Sequence, residues 1–262
     1  MSRRWLGVAL ASSLLFASTQ TQAVDHNRVE SGRPLGFDDA SVIGRGERSL
    51  EFGLRGGWRR DGSASARPEV ELGYGFARNL AAHVSAHLSI GPTLENNDGG
   101  TELEEFTLTL AHHLRRQTLN GPALAYRVDV AVPTRAESSV RTRLRGILSR
   151  SLRQYDTLHL NADLVVRPGA SALQREVSVA AALGYSVPIG FPRRFDRSFL
   201  AAFTTEQSEI EGQGWRGAFG VGLRQQVGFR SVVDVGVESD LFVPREGANH
   251  ELRVNAGYSV GF

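Results

Sequence analysis

The stretch Glu251-Leu252-Arg253-Val254-Asn255-Ala256-Gly257-Tyr258-Ser259-Val260-Gly261-Phe262 alternates without a break. Leu252, Val254, Ala256, Tyr258, Val260 and Phe262 fall on one side, and Arg253, Asn255, Gly257, Ser259 and Gly261 on the other. Successive side chains of an extended chain point to opposite faces, so a period of two predicts a β-strand with one apolar and one small or polar face. Helical periodicity is absent from it.

Working back from this stretch, the same pattern recurs. Leu50, Phe52, Leu54 and Trp58 oppose Glu51 and Arg55; Val70, Leu72, Tyr74 and Phe76 oppose Glu69 and Glu71; Leu80, Val84, Leu88 and Ile90 oppose His83, Ser85 and His87. Phe106, Leu108 and Leu110 oppose Glu105 and Thr107; Leu124, Tyr126, Val128 and Val130 oppose Arg127 and Asp129; Val140, Leu144 and Leu148 oppose Arg141, Arg143 and Arg145. Leu158, Leu160 and Leu164 oppose His159, Asn161 and Asp163, and Val177, Val179, Leu183 and Tyr185 oppose Ser178 and Gly184. Between residues 197 and 205 the two faces do not separate. Trp215, Phe219, Val221 and Leu223 oppose Arg216, Gly220 and Arg224, and Val233, Val235, Val237 and Leu241 oppose Asp234, Glu238 and Asp240. Twelve segments result, and the connections after even-numbered segments are mostly the tighter ones. The segment 188–196 departs from that rule, being as long as several loops on the other side.

Two architectures share this alternation. A soluble barrel or sandwich turns its apolar face inward, whereas a membrane barrel turns it toward acyl chains and keeps a polar lumen. Three features favour the second. The polar face is rich in Gly, Ala and Ser, with charges interspersed, and carries no Lys. Aromatic residues mark the ends of the apolar face: Trp58, Phe106 and Trp215 toward the long loops, and Tyr74, Phe76, Tyr185, Tyr258 and Phe262 toward the short turns. Such positions match two interfacial girdles. Finally, the last strand, with Tyr258, Val260 and Phe262 in register, looks like the C-terminal assembly signal of Gram-negative outer-membrane proteins. That likeness implies the barrel assembly machinery as a partner. Lipid offers backbone groups no hydrogen-bond partners, so strands span it only as a closed barrel. The expected fold is all-β: a transmembrane antiparallel up-and-down β-barrel of about 12 strands over residues 47–262, surrounded by outer-membrane lipids.

The N-terminal 23 residues fit an export signal. Arg3 and Arg4 precede an apolar run from Trp5 to Phe16, and small and polar residues follow as far as Thr21-Gln22-Ala23. Twelve residues rise only about 18 Å as a helix, short of the roughly 30 Å bilayer core, so a membrane anchor fits less well. Cleavage after Ala23 leaves 262 − 23 = 239 residues, with 28 basic residues, all Arg, against 28 acidic ones. No basic stretch is left uncompensated, so nucleic acid is not an expected partner. The chain has no Cys, which excludes disulfides and thiolate metal sites.

Residues 24–46 precede the first strand and contain Arg33-Pro34-Leu35-Gly36-Phe37-Asp38-Asp39-Ala40 and Gly44-Arg45-Gly46, followed by Leu50-Glu51-Phe52-Gly53. This arrangement resembles the outer-membrane transporter family associated with the MetA pathway of phenol degradation. Its members begin with an Arg-Pro-Leu-x-x-Asp-Asp stretch and a Gly-rich turn. Phe37 stands where the family often has Thr. The resemblance covers about 20 residues and implies uptake of small solutes, aromatic compounds among them. The motif residues Arg33, Pro34, Asp38 and Asp39 admit two readings: a turn in which carboxylates accept backbone N–H bonds, or a segment folded into the lumen and bonded to wall charges.

Expected lumen-lining charges divide into Arg127, Arg141, Arg143 and Arg145 on segments five and six, and Glu51, Glu69, Glu71, Asp234, Glu238 and Asp240 on segments one, two and eleven. Either they form ordinary cross-strand charge ladders, or the two groups set up a transverse field across a constriction. Twelve strands lie between small filled barrels and open porins, so a narrow lumen is expected.

No catalytic constellation emerges. His83 and His87 share a strand face but stand about 13 Å apart, too far to hold one metal. The His-x-Ser-Asn-Gly stretch of the twelve-stranded outer-membrane phospholipases is absent. Gly217, Gly220 and Gly222 lie within a strand pattern and are read as relieving crowding along it. The expectation is a channel or transporter for small-molecule solutes in the cell outer membrane, without catalytic residues, metal or cofactor. The alternatives are a structural or surface-interaction barrel and, third, a lipid-modifying enzyme.

Overall fold

The computed structural model describes residues 33–91, 100–135, 139–153, 155–170, 173–190, 196–244 and 250–262. The predicted export signal and residues 24–32 lie outside them. Twelve strands run in chain order: β1 Arg48–Arg59, β2 Ala64–Ala77, β3 Leu80–Ile90, β4 Thr101–Arg115, β5 Ala123–Pro133, β6 Arg141–Ser151, β7 Thr157–Val166, β8 Val177–Pro188, β9 Arg197–Gln207, β10 Trp215–Gly228, β11 Ser231–Phe242 and β12 Glu251–Gly261. Each pairs with its sequence neighbours, and β1 pairs with β12 to close the barrel. The closing register runs antiparallel from Ser49 opposite Gly261 to Trp58 opposite Leu252. Closure removes the edge strands that would leave N–H and C=O groups unpaired.

Burial is the reverse of a water-soluble protein's. Leu72, Leu108, Val235 and Leu241 on the outside are exposed, Leu108 to 58%. Glu51, Glu71, Asp129 and Asp234 on the inside are buried, Glu71 to 2%. A continuous exposed apolar belt of this extent is stable only against acyl chains, so the barrel is a transmembrane one. Trp58, Phe106 and Trp215 mark the loop end of this belt, and Tyr74, Phe76 and Tyr258 the turn end, all exposed on the outside.

Strand β9, whose faces the alternation did not separate, turns Ser198, Leu200 and Ala202 inward and Phe203 outward. Both faces are apolar for different reasons. Phe203 meets lipid, while Leu200 and Ala202 form a small core with Ala182, Leu35 and Phe37.

Candidate functional site

That core is built on a segment that precedes the first strand. Residues 33–47 lie inside the barrel and run along its inner wall, touching strand after strand. At the start, the Arg33 guanidinium donates to Glu51 and to the Phe52 carbonyl on β1. The Asn255 amide on β12 donates to the Pro34 carbonyl at 2.7 Å. Asp38 and Asn161 on β7 bond reciprocally: the Asp38 N–H donates to Asn161 Oδ1 at 2.7 Å, and Asn161 Nδ2 donates to the Asp38 carbonyl at 3.0 Å. The Ala40 N–H donates to Ser149 Oγ on β6 at 2.9 Å, and His113 Nδ1 on β4 bonds the Ala40 carbonyl. At the far end the Gly46 N–H donates to the Gly75 carbonyl on β2 at 2.6 Å. Buried backbone groups of an irregular segment must find partners, and here polar wall side chains supply them.

Apolar contacts complete the seat. Leu35 and Phe37 are fully buried. The Phe37 ring lies 5.2 Å from the His159 ring, which itself hydrogen-bonds Ser149 at 2.9 Å and Ser186 at 3.0 Å. Wall glycines make the room. A Cβ at Gly184 would lie 2.4 Å from Phe37 Cδ2; one at Gly236 would lie 2.9 Å from Leu35 Cδ2; one at Gly75 would lie 1.9 Å from the Gly44 carbonyl oxygen. Gly220 and Gly222, expected only to relieve crowding along β10, seat Leu35 and Pro34, to which added Cβ atoms would come within 2.9 Å. Gly217 does relieve crowding, against the ring of Phe242.

These glycines carry a prediction. Gly184→Leu evicts the Phe37 ring and removes burial that contributes about 1.5–3 kcal/mol for a large apolar side chain. Single-channel conductance is expected to rise, and adding Phe37→Ala to the same chain is expected to return it toward the original value. A rise that the second substitution leaves untouched would show that the wall, not the segment, had changed.

Charge pairing ties the same segment to the basic wall. Arg145 grips Asp163 through two hydrogen bonds of 2.7 Å and reaches Asp38 with a third of 2.6 Å. Asp129 accepts from Arg127 and Arg143, each at 2.7 Å, and from the Thr109 hydroxyl at 2.6 Å. Arg127 also lies 3.9 Å from Asp38 and 3.7 Å from Glu71, which is 2.9 Å from His83. The sequence-level basic and acidic groups therefore meet through Arg127 and Glu71. On the acidic side, Arg253 lies 3.2 Å from Glu238 and 3.1 Å from Asp240, while Arg33 pairs with Glu51. Glu69 sits 3.9 Å from His87, and Asp234, buried, faces Arg224 across the β10–β11 register. Asp39 accepts the Ser41 N–H at 2.6 Å. Arg141 pairs with Glu105 at 2.6 Å, and it and Arg143 remain 40% and 34% exposed toward the loop-end half of the lumen. Tyr258, Val260 and Phe262 lie at the turn end of β12, where Phe262 and Arg48 exchange two backbone hydrogen bonds. Among the described residues no His, Asp and Glu group has the spacing to hold a metal.

Burial pushes the Asp38 carboxyl up, but Arg145, Arg127 and Arg143 outweigh it and hold the group below the ordinary carboxylate range. A depressed folded-state pKa stabilises docking above the undocked value, near 3.9, and that contribution is lost as pH falls through the folded value. The Asp38 contribution to docking is thus expected to persist from neutral pH down to the ordinary carboxylate range and to be lost only in more acidic solution. Conductance recorded across that range checks it; opening between pH 7 and 5 would assign the control to another group.

No protein-family model matches the chain, and no curated protein does. Among solved structures it is similar to an outer membrane channel from Pseudomonas putida F1, at 15% identity and a TM-score of 0.65, covering 87% of this chain and 100% of that one. A KdgM porin in complex with disordered oligogalacturonate is similar at 9% identity and a TM-score of 0.55, over 82% and 99% of the two chains. The NanC porin is similar at 11% and 0.54, over 80% and 98%. At such identities the likeness shows the fold, that of outer-membrane channel barrels.

Proposed function

We propose that the chain is an outer-membrane channel for small solutes, narrowed by its own N-terminal segment. One observation carries this reading: a polar, charge-lined lumen crossed by residues 33–47. A lumen so lined favours solutes that exchange hydration for side-chain hydrogen bonds as they pass. Between residues 38–43 of the segment and strands β3–β6 a small cavity remains. Val42, Ile43, Ala125 and Ile147 line it beside Asp38 and Arg127. The Arg33–Asp39 resemblance implies aromatic compounds among those solutes.

Liposome swelling with a panel of sugars, amino acids and aromatic acids tests the proposal. Permeation of aromatic acids ahead of sugars of equal size is expected; no swelling with any solute would overturn the channel reading. Arg141→Gln with Arg143→Gln is expected to shift ion selectivity toward cations, since these two guanidinium groups are the partly exposed members of the basic wall. An unmoved reversal potential would remove the charge-selection part of the reading.

A further inference from the structure

At the turn end of the barrel, two neighbouring connections are fastened together. Residues 116–122 follow β4, and residues 152–153 open the connection after β6. Arg150 Nη2 donates to the Leu119 carbonyl at 3.0 Å, and the Ser151 N–H donates to Gln117 Oε1 at 2.8 Å. Thr118 and Gly121 bridge within the first turn, and Arg115 donates to the Pro122 carbonyl at 3.2 Å. The result is a platform with an unusual surface. Leu119 at its tip is 94% exposed, and Leu114 and Leu152 are exposed beside it. Four arginines, Arg115, Arg116, Arg150 and Arg153, stand among these leucines, and none makes an ion pair among the described residues. The single carboxylate in the two turns, Asp156, accepts the Tyr185 hydroxyl at 3.0 Å.

Short connections mark the periplasmic end of such a barrel, so the platform lies level with the headgroups of the inner leaflet. Leu114 lies on the lipid-facing side of β4, two residues from His112, whose ring meets that of Tyr126 edge to face at 5.3 Å. We propose that this platform is a binding site for an anionic phospholipid, its phosphate held between the Arg116 and Arg153 guanidiniums and its acyl chains laid along the Leu114 side of the wall. Two lines support it: charge complementarity at the correct depth, and an apolar surface continuous with the lipid-facing belt. Arginine suits the role because its planar fork engages phosphate oxygens in pairs.

The test is native mass spectrometry of the full chain, purified in detergent and supplied with phosphatidylglycerol or phosphatidylcholine of matched acyl chains. Retention of phosphatidylglycerol over phosphatidylcholine is expected. Arg116→Gln with Arg153→Gln is expected to lower that retention about thirtyfold, in line with the summed attraction of two basic residues near an anionic surface. Arg59→Gln with Arg60→Gln, at the opposite end of the barrel, is expected to leave it unchanged. Arg116 and Arg153 make no hydrogen bond among the described residues, so the variant should fold, and unaltered heat-modifiable gel mobility confirms that. Equal retention of the two lipids, or full retention by the variant, would overturn the site; so would equal losses from the two pairs of substitutions.

Discussion

Deleting residues 24–46 is expected to raise single-channel conductance severalfold and to admit solutes that the intact chain retains. The described part of this segment touches β1, β2, β4, β6, β7 and β12 in turn, and its side chains occupy the hollows left by inner-face glycines. No strand pairing of the wall depends on it, because the β1–β12 closure begins at Ser49. The barrel should therefore persist without it, with a wider polar bore. Removal does leave Glu51 and Arg145 short of a partner, which costs stability. A milder variant, Phe37→Ala, keeps all the charges and should give a smaller increase in the same direction. Unchanged conductance in both would show that the segment does not obstruct the lumen.

Asp38→Asn is expected to release the segment while keeping its shape. Asp38 shares the Arg145 guanidinium with Asp163, and Arg127 lies 3.9 Å away. Without its charge, Arg127, Arg143 and Arg145 face only Asp129 and Asp163 nearby, with Glu71 at the margin. Removing one partner from a buried ionic group costs about 3–5 kcal/mol because the remaining charge stays buried. The lower end of that range corresponds to roughly a hundredfold change in the docked-to-undocked ratio. The chain contains no Cys, so Ser41→Cys supplies a unique reporter on the segment. Its labelling by a membrane-impermeant maleimide should accelerate markedly when Asp38→Asn is added. Equal labelling rates would mean that the hydrogen bonds to Asn161 and Ser149, not the charge, hold the segment.

Sequence and structure divide along the range of the interactions involved. Alternation between adjacent residues is a local property. It was sufficient to mark strand after strand, to separate an apolar side from a polar side, and to put Arg127, Arg141, Arg143 and Arg145 together, because neighbouring strands of an up-and-down barrel are neighbours in sequence. Residues 197–205 defeated it because the inner face there is apolar too, and the cause, Phe37 and Leu35, lies some 160 positions away. The glycines of β8, β10 and β11 were visible as small residues on an inner face, and their number was the available signal. What they make room for was not readable, since it depends on where an irregular segment lies inside a closed wall. The pairing of the charges belongs to the same class: Arg127 meets Glu71, Asp38 and Asp129 at once only because curvature brings β2, β5 and residue 38 within a side chain's reach. Periodicity specified the wall, and the composition of its polar face, the aromatic ends and the last strand specified which way its faces turn; only closure of that wall around the N-terminal segment decided which hollows are filled, which charges are spent on one another, and how much of the bore stays open.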